Sequence, residues 1–196
     1  GDPSVTVWIN QGNRPGPLGG WHRHVVDDAV GHRTVFVEHA DLDGDGDEDL
    51  VTGGWWWRNP GVPGGSWERV EFGGDLRQVA LVHDLDGDGD VDLFGGDEPG
   101  SGWDGDLRWA RNDGDGGFEV FDDIESAEGG LLQGVVAVDL VPGVTSLALS
   151  YNDGVGGLQL VTVPSDPTRS RWTTEQAVAT VAGEELVAAD VDGDGD

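Results

Sequence analysis

Asp41-Leu42-Asp43-Gly44-Asp45-Gly46-Asp47-Glu48-Asp49-Leu50 is the stretch on which the fold turns. It returns almost residue for residue as Asp84-Leu85-Asp86-Gly87-Asp88-Gly89-Asp90-Val91-Asp92-Leu93 and begins a third time at Asp190-Val191-Asp192-Gly193-Asp194-Gly195-Asp196. Acidic side chains at positions 1, 3, 5 and 9 of a glycine-hinged loop read as a cage for calcium, a hard cation that takes six to eight oxygens at roughly 2.3 to 2.6 Å. Gly46 and Gly89 hold position 6, where a sharp turn disfavours a Cβ. Position 7, Asp47 or Asp90, is expected to offer its backbone carbonyl while its side chain points outward. Carboxylates packed this closely repel one another, so the loops need a cation for order.

The helix-loop-helix calcium hand shares the first half of this pattern. It also needs a bidentate Glu at position 12, where this chain has Thr52 in one copy and Gly95 in the other. The flanks are short, β-branched and bounded by glycine: Val35-Phe36-Val37 and Val79-Ala80-Leu81-Val82 before the loops, Leu50-Val51-Thr52 and Leu93-Phe94 after them. That composition predicts strand, loop, strand.

A fourth copy keeps the approach and loses the acids. Leu132-Gln133-Gly134-Val135-Val136-Ala137-Val138-Asp139-Leu140 is followed by Val141-Pro142-Gly143-Val144-Thr145-Ser146. With Asp41, Asp84, Asp139 and Asp190 taken as equivalent, the periods are 43, 55 and 51 residues, lengths suited to a four-stranded unit rather than a helical repeat. Between the acidic loops the same parts recur in order. Strands at Val7 to Asn10, Trp55 to Asn59, Leu107 to Asn112 and Leu158 to Val161 run into turns rich in Gly, Pro, Asn and Asp, then into segments led by Trp21, Trp67, Phe118 and Trp172. The repeat units are read as approximately 5–52, 53–96, 103–151 and 157–196, each a small antiparallel sheet.

Composition agrees with an all-β repeat fold: 35 glycines and 9 prolines in 196 residues, with no cysteine and no methionine. The lack of methionine suggests a mature or excised piece of a longer product. No apolar run reaches the roughly 20 residues of a membrane span, and no signal-like segment opens the chain. The net charge is −29, from 39 acids against 10 bases that are all arginine. Such a field disfavours nucleic acid and anionic membranes as partners.

The Asp-x-Asp-Gly-Asp-Gly-Asp-x-Asp-Leu loops, the Arg111-Asn112-Asp113-Gly114-Asp115-Gly116-Gly117-Phe118 hairpin and the repeat length together resemble the FG-GAP and VCBS repeats of integrin α-subunit-type β-propellers. The resemblance covers nearly the whole chain. It implies four-stranded antiparallel blades, about four of them visible, in a ring of about seven. It implies two calcium sites, with Asp41, Asp43, Asp45 and Asp49 in one loop, and Asp84, Asp86, Asp88 and Asp92 in the other, as side-chain ligands. A third site at Asp190, Asp192 and Asp194 stops before its position 9. Gly1-Asp2 resembles the tail of a preceding loop, so the reading is of a fragment of a larger propeller, or of a chain that completes its ring by self-association.

Function is less constrained than fold. The expectation is an extracellular or cell-surface module that binds protein or carbohydrate, with a structural spacer and a polysaccharide-degrading scaffold as alternatives. Trp55-Trp56-Trp57 motivates the carbohydrate version: alternation sends Trp56 to the face opposite its neighbours, where its ring can stack on a sugar, although tryptophans also fill the spaces between sheets. His22 and His24 share a strand face without a third ligand. The chain carries no zincin, serine-elbow or phosphate-loop signature and no assigned catalytic residue.

Overall fold

The computed structural model describes residues 4–10, 20–30, 34–97, 106–125, 129–152, 156–179 and 181–189. The third acidic loop, with Asp190, Asp192 and Asp194, lies outside the described residues, as does the Gln11 turn. Among the described residues the secondary structure is entirely β: fourteen strands in one ribbon and three four-stranded antiparallel sheets. The ribbon pairs β1 (Val5–Asn10) with β2 (Trp21–Asp27).

The first sheet runs in chain order through β3 (Glu38–Ala40), β4 (Asp49–Thr52), β5 (Trp55–Arg58) and β6 (Glu68–Glu71). The second holds β7 (Gln78–His83), β8 (Asp92–Gly96), β9 (Leu107–Asn112) and β10 (Phe118–Phe121). The third holds β11 (Leu132–Val141), β12 (Val144–Tyr151), β13 (Leu158–Thr162) and β14 (Thr173–Val178).

Four-stranded units are therefore present, but their phase differs from the sequence reading. Each sheet opens with the strand that enters the acidic loop, so the units drawn at 5–52, 53–96, 103–151 and 157–196 cut every sheet in the middle. The repeat had fixed the period; only pairing fixes the phase. β3 is also displaced from Val35-Phe36-Val37. Its ladder covers Glu38 to Ala40, and beyond it the Thr52 hydroxyl donates to the Phe36 carbonyl, replacing the next backbone bond with a side-chain one.

Tryptophans and other large apolar side chains fill the spaces between sheets. Trp57 packs with Val5 and Val30 between ribbon and first sheet. Trp56 packs with Val51, Phe72, Val79, Leu93 and Ala110 between first and second. Between second and third, Trp109 stacks on Phe121 at 4.9 Å, and Trp172 lies 5.3 Å from Trp109 and 6.2 Å from Phe94. Alternation along a strand explains the division of labour: Trp55 and Trp57 share one face, ring centroids 6.5 Å apart, while Trp56 takes the other.

At the opposite end of each sheet the opening strands gather, with β7 beside both β3 and β11. One cavity of about 360 Å³ is lined by Val35 to Glu38, Ala80, Gln133 to Val135 and Glu184 to Leu186. These segments stand at equivalent distances ahead of Asp41, Asp84, Asp139 and Asp190 in the sequence, and they line one shared space.

Candidate metal centre

Both full acidic loops connect the first and second strands of a sheet, β3 to β4 and β7 to β8. Their glycines make the turn: Gly46 has φ +92° and Gly89 has φ +102°, a region that residues with a Cβ rarely enter. The third sheet shows what remains without the acids. Val141 pairs with Val144 around Pro142-Gly143, a two-residue hairpin, and the surviving Asp139 accepts a hydrogen bond from the Thr145 hydroxyl at 3.2 Å.

In the first loop Asp41, Asp43 and Asp49 bring carboxylate oxygens within 4.8 Å of one another; in the second, Asp84, Asp86 and Asp88 do so. Backbone amides shape both groups. Gly46 N–H donates to Asp41 Oδ2 at 2.9 Å, and Gly87 and Gly89 N–H donate to the two Asp84 oxygens at 2.8 and 3.1 Å. Asp41 Oδ1 is buried and accepts no hydrogen bond. A buried acceptor without a donor is costly, and an oxygen-only donor set lacking thiolate or imidazole fits calcium or magnesium rather than a softer metal.

The remaining predicted ligands divide into two kinds. Asp45 is exposed, and its Oδ1 accepts the Asp47 amide at 2.9 Å. Asp47 and Asp90 keep their carboxylates out of the clusters: a Cβ on Gly61 would lie 2.6 Å from Asp47 Oδ2, and one on Gly114 would lie 2.6 Å from Asp90 Oδ2. Each therefore lies against a glycine of the connection between the third and fourth strands of its own sheet.

Asp49 and Asp92 are fully buried braces. Asp49 accepts the amides of Leu42 at 3.1 Å and Asn59 at 2.7 Å; Asp92 accepts those of Leu85 and Asn112, both at 2.9 Å. Each ties its own loop to the third strand of its sheet. Burial, reinforced by the neighbouring aspartates and opposed by those amides, pushes Asp49 up to about 6 and Asp92 up to about 7. Asp86 is also raised, first by desolvation and then by Asp88 and Asp84.

Two asparagines that carried no assigned role in the sequence complete the frame. Asn59 donates from Nδ2 to Glu48 O at 2.8 Å. Asn112 donates to Val91 O at 3.1 Å and, across the sheet boundary, to Leu42 O at 3.0 Å, so the second sheet buttresses the first loop. The repeated Arg-Asn pair at Arg58-Asn59 and Arg111-Asn112 was the available signal, but its partners are distant in sequence.

The sugar-stacking role of Trp56 is corrected by the structure. Its ring is 0% exposed and packed between sheets, with the Arg58 guanidinium 5.3 Å from its centroid, so no glycan can reach it. Burial of a large ring wins because the face opposite Trp55 and Trp57 is an inter-sheet face. His22 and His24 lie opposite Ile9 and Val7 on one ribbon face, and neither joins an acidic cluster among the described residues.

Comparison of the chain with protein-family models, with curated proteins and with solved structures returned no match.

Proposed function

We propose that this chain is part of a calcium-stabilised β-propeller of the FG-GAP/VCBS kind, an extracellular or cell-surface module that binds a protein or glycan without catalysing a reaction. The observation that carries the reading is the recurrence of a carboxylate trio at the same connection of two successive four-stranded sheets whose opening strands lie side by side. In the propeller reading the three sheets and the ribbon are consecutive blades, and the cavity shared by four equivalent segments is the central channel. Asp41, Asp43 and Asp49 hold one calcium ion, and Asp84, Asp86 and Asp88 the other; the bound cation supplies the charge that lets crowded carboxylates coexist.

The ribbon supports a ring with further members. Trp8 stands two residues before Asn10, as Trp57 does before Asn59 and Ala110 before Asn112. Trp57 and Ala110 are buried against the preceding sheet, whereas Trp8 is 60% exposed. In this reading another blade, from a longer ring or a second copy, covers Trp8.

The test is to strip the protein with chelator, titrate calcium, and follow stoichiometry together with thermal unfolding. Two ions in the full loops, a third if the Asp190 loop is completed, and a raised Tm are expected; each site at a hundredfold excess over its Kd contributes about 2.7 kcal/mol. No binding would leave the aspartates as solvated acidity and end the calcium reading. Screening of the loaded protein against glycans and surface proteins tests the binding role.

A further inference from the structure

The two acidic loops are similar in sequence, but their flanking arginines act differently. Arg58 and Arg111 occupy equivalent places, each just before the asparagine at the end of the third strand, and each faces a glutamate of the fourth strand: Glu68 for Arg58, Glu119 for Arg111. Arg111 takes its glutamate, with NH2 3.0 Å from Glu119 Oε2. Arg58 stands 3.9 Å from Glu68 and turns to the loop, with Nε 2.7 Å from Asp43 Oδ2. The Trp56 ring supports it there, 5.3 Å from the guanidinium carbon. Asp43 is nearly buried, at 9% side-chain exposure, while Arg58 is 41% exposed. Among the described residues no base lies within ion-pair distance of Asp84, Asp86 or Asp88.

We infer that Arg58 is a resident cation of the first loop, competing with calcium for Asp43, so that the two loops are functionally unequal. This rests on the calcium reading above. A guanidinium stays charged at any physiological pH and cannot be titrated out of the way. Calcium entering the first loop therefore meets Asp43 with its Oδ2 already paired to Arg58 and close to a fixed positive charge, while calcium entering the second meets only carboxylates. The second loop fills first and depends on its ion for order. The first keeps part of its order without an ion, because Arg58 offsets the repulsion among Asp41, Asp43 and Asp49. A module built this way has one site that is held and one that responds to calcium at higher concentration.

Calorimetric titration of calcium chloride into the chelator-treated full chain tests this, with each loop isolated by substitution. D84N/D86N leaves the first loop, and D41N/D43N leaves the second. The second loop is expected to bind more tightly. Adding R58Q to the D84N/D86N chain should tighten the first loop about three- to tenfold, the range set by a partly exposed ion pair at the site. R58K keeps a cation beside Asp43 and should bind more weakly than R58Q, which separates charge competition from a general packing change. R111Q in the D41N/D43N chain should leave the second loop unchanged. Equal affinities for the two loops, or a first loop that R58Q does not tighten, would overturn the assignment of Arg58 while leaving the calcium reading intact. Heat of binding from neither loop in the unsubstituted chain would instead remove the calcium reading itself.

Discussion

Trp56→Ala separates a structural tryptophan from a ligand platform. Trp56 is 0% exposed and lies in the cluster that joins the first and second sheets, in contact distance of Gly116 on the loop between β9 and β10. A tryptophan side chain buries roughly 150 to 250 Å², which at about 25 cal/mol per Å² is on the order of 4 to 6 kcal/mol. Measured truncations of buried Phe or Trp to Ala cluster at about 3 to 5 kcal/mol, because the surroundings collapse only in part. Against a total stability of about 5 to 15 kcal/mol, this is a large fraction.

For a chain of this size, each kcal/mol moves Tm by about 2 to 4 °C, so a drop of roughly 6 to 20 °C is expected. Urea denaturation in saturating calcium, followed by far-UV circular dichroism, gives the free energy directly. Val62→Ala is the control: Val62 is 61% exposed on the loop between β5 and β6, and its truncation should change stability by no more than about 0.5 kcal/mol. A Trp56→Ala protein as stable as the parent would refute the inter-sheet placement of the ring, and with it the order of sheets deduced from the core.

Three further outcomes follow from the same geometry. Asp49 and Asp92 have folded-state values raised to about 6 and about 7, so in chelator the folded protein holds more protons than the unfolded chain and its stability should fall as pH rises from about 4 to 7; calcium should reverse the trend by keeping the cages ionised. Denaturation midpoints at pH 5 and pH 8 in about 1 M salt, where general repulsion is screened within roughly 3 Å, check this, and greater ion-free stability at pH 8 would contradict it. Asn112→Ala leaves the Leu42 and Val91 carbonyls without their donor and should cost about 2 to 4 kcal/mol, more than Asn59→Ala, whose half-exposed side chain donates to one carbonyl, Glu48 O; each asparagine also accepts one turn amide, from Gly61 or Gly114; paired urea melts decide it. Gly95→Ala places a Cβ 1.9 Å from the Gln78 carbonyl oxygen, so β7 and β8 must separate, and a loss of about 3 kcal/mol or more is expected from thermal melts.

Much of this was legible in the chain itself. Ligand-type residues on a fixed spacing, glycine at the hinge and β-branched flanks are local properties, so strand, acidic loop and strand could be read at 41–50 and 84–93 without knowing what packs on what. The four-strand period and the degenerate third loop were equally visible, since a lost acid and a retained turn both show in the letters.

What the letters left open is whatever depends on partners far along the chain. The phase of the repeat was hidden because either grouping of strands gives the same period, and only hydrogen-bond pairing places β3 and β7 at the head of their sheets. Alternation predicted that Trp56 faces away from Trp55 and Trp57, but whether that face meets solvent or another sheet depends on the neighbour; here the second sheet covers it. The two loops read as twins for the same reason. A loop's own residues set its carboxylates, while the side chains that brace or neutralise them, Asn112 from the next sheet and Arg58 across its own, arrive through tertiary packing. Sequence determined the local chemistry of this protein, and its structure decided which of those groups are buried, paired or left free, because burial and charge pairing are properties of the space between segments rather than of any one of them.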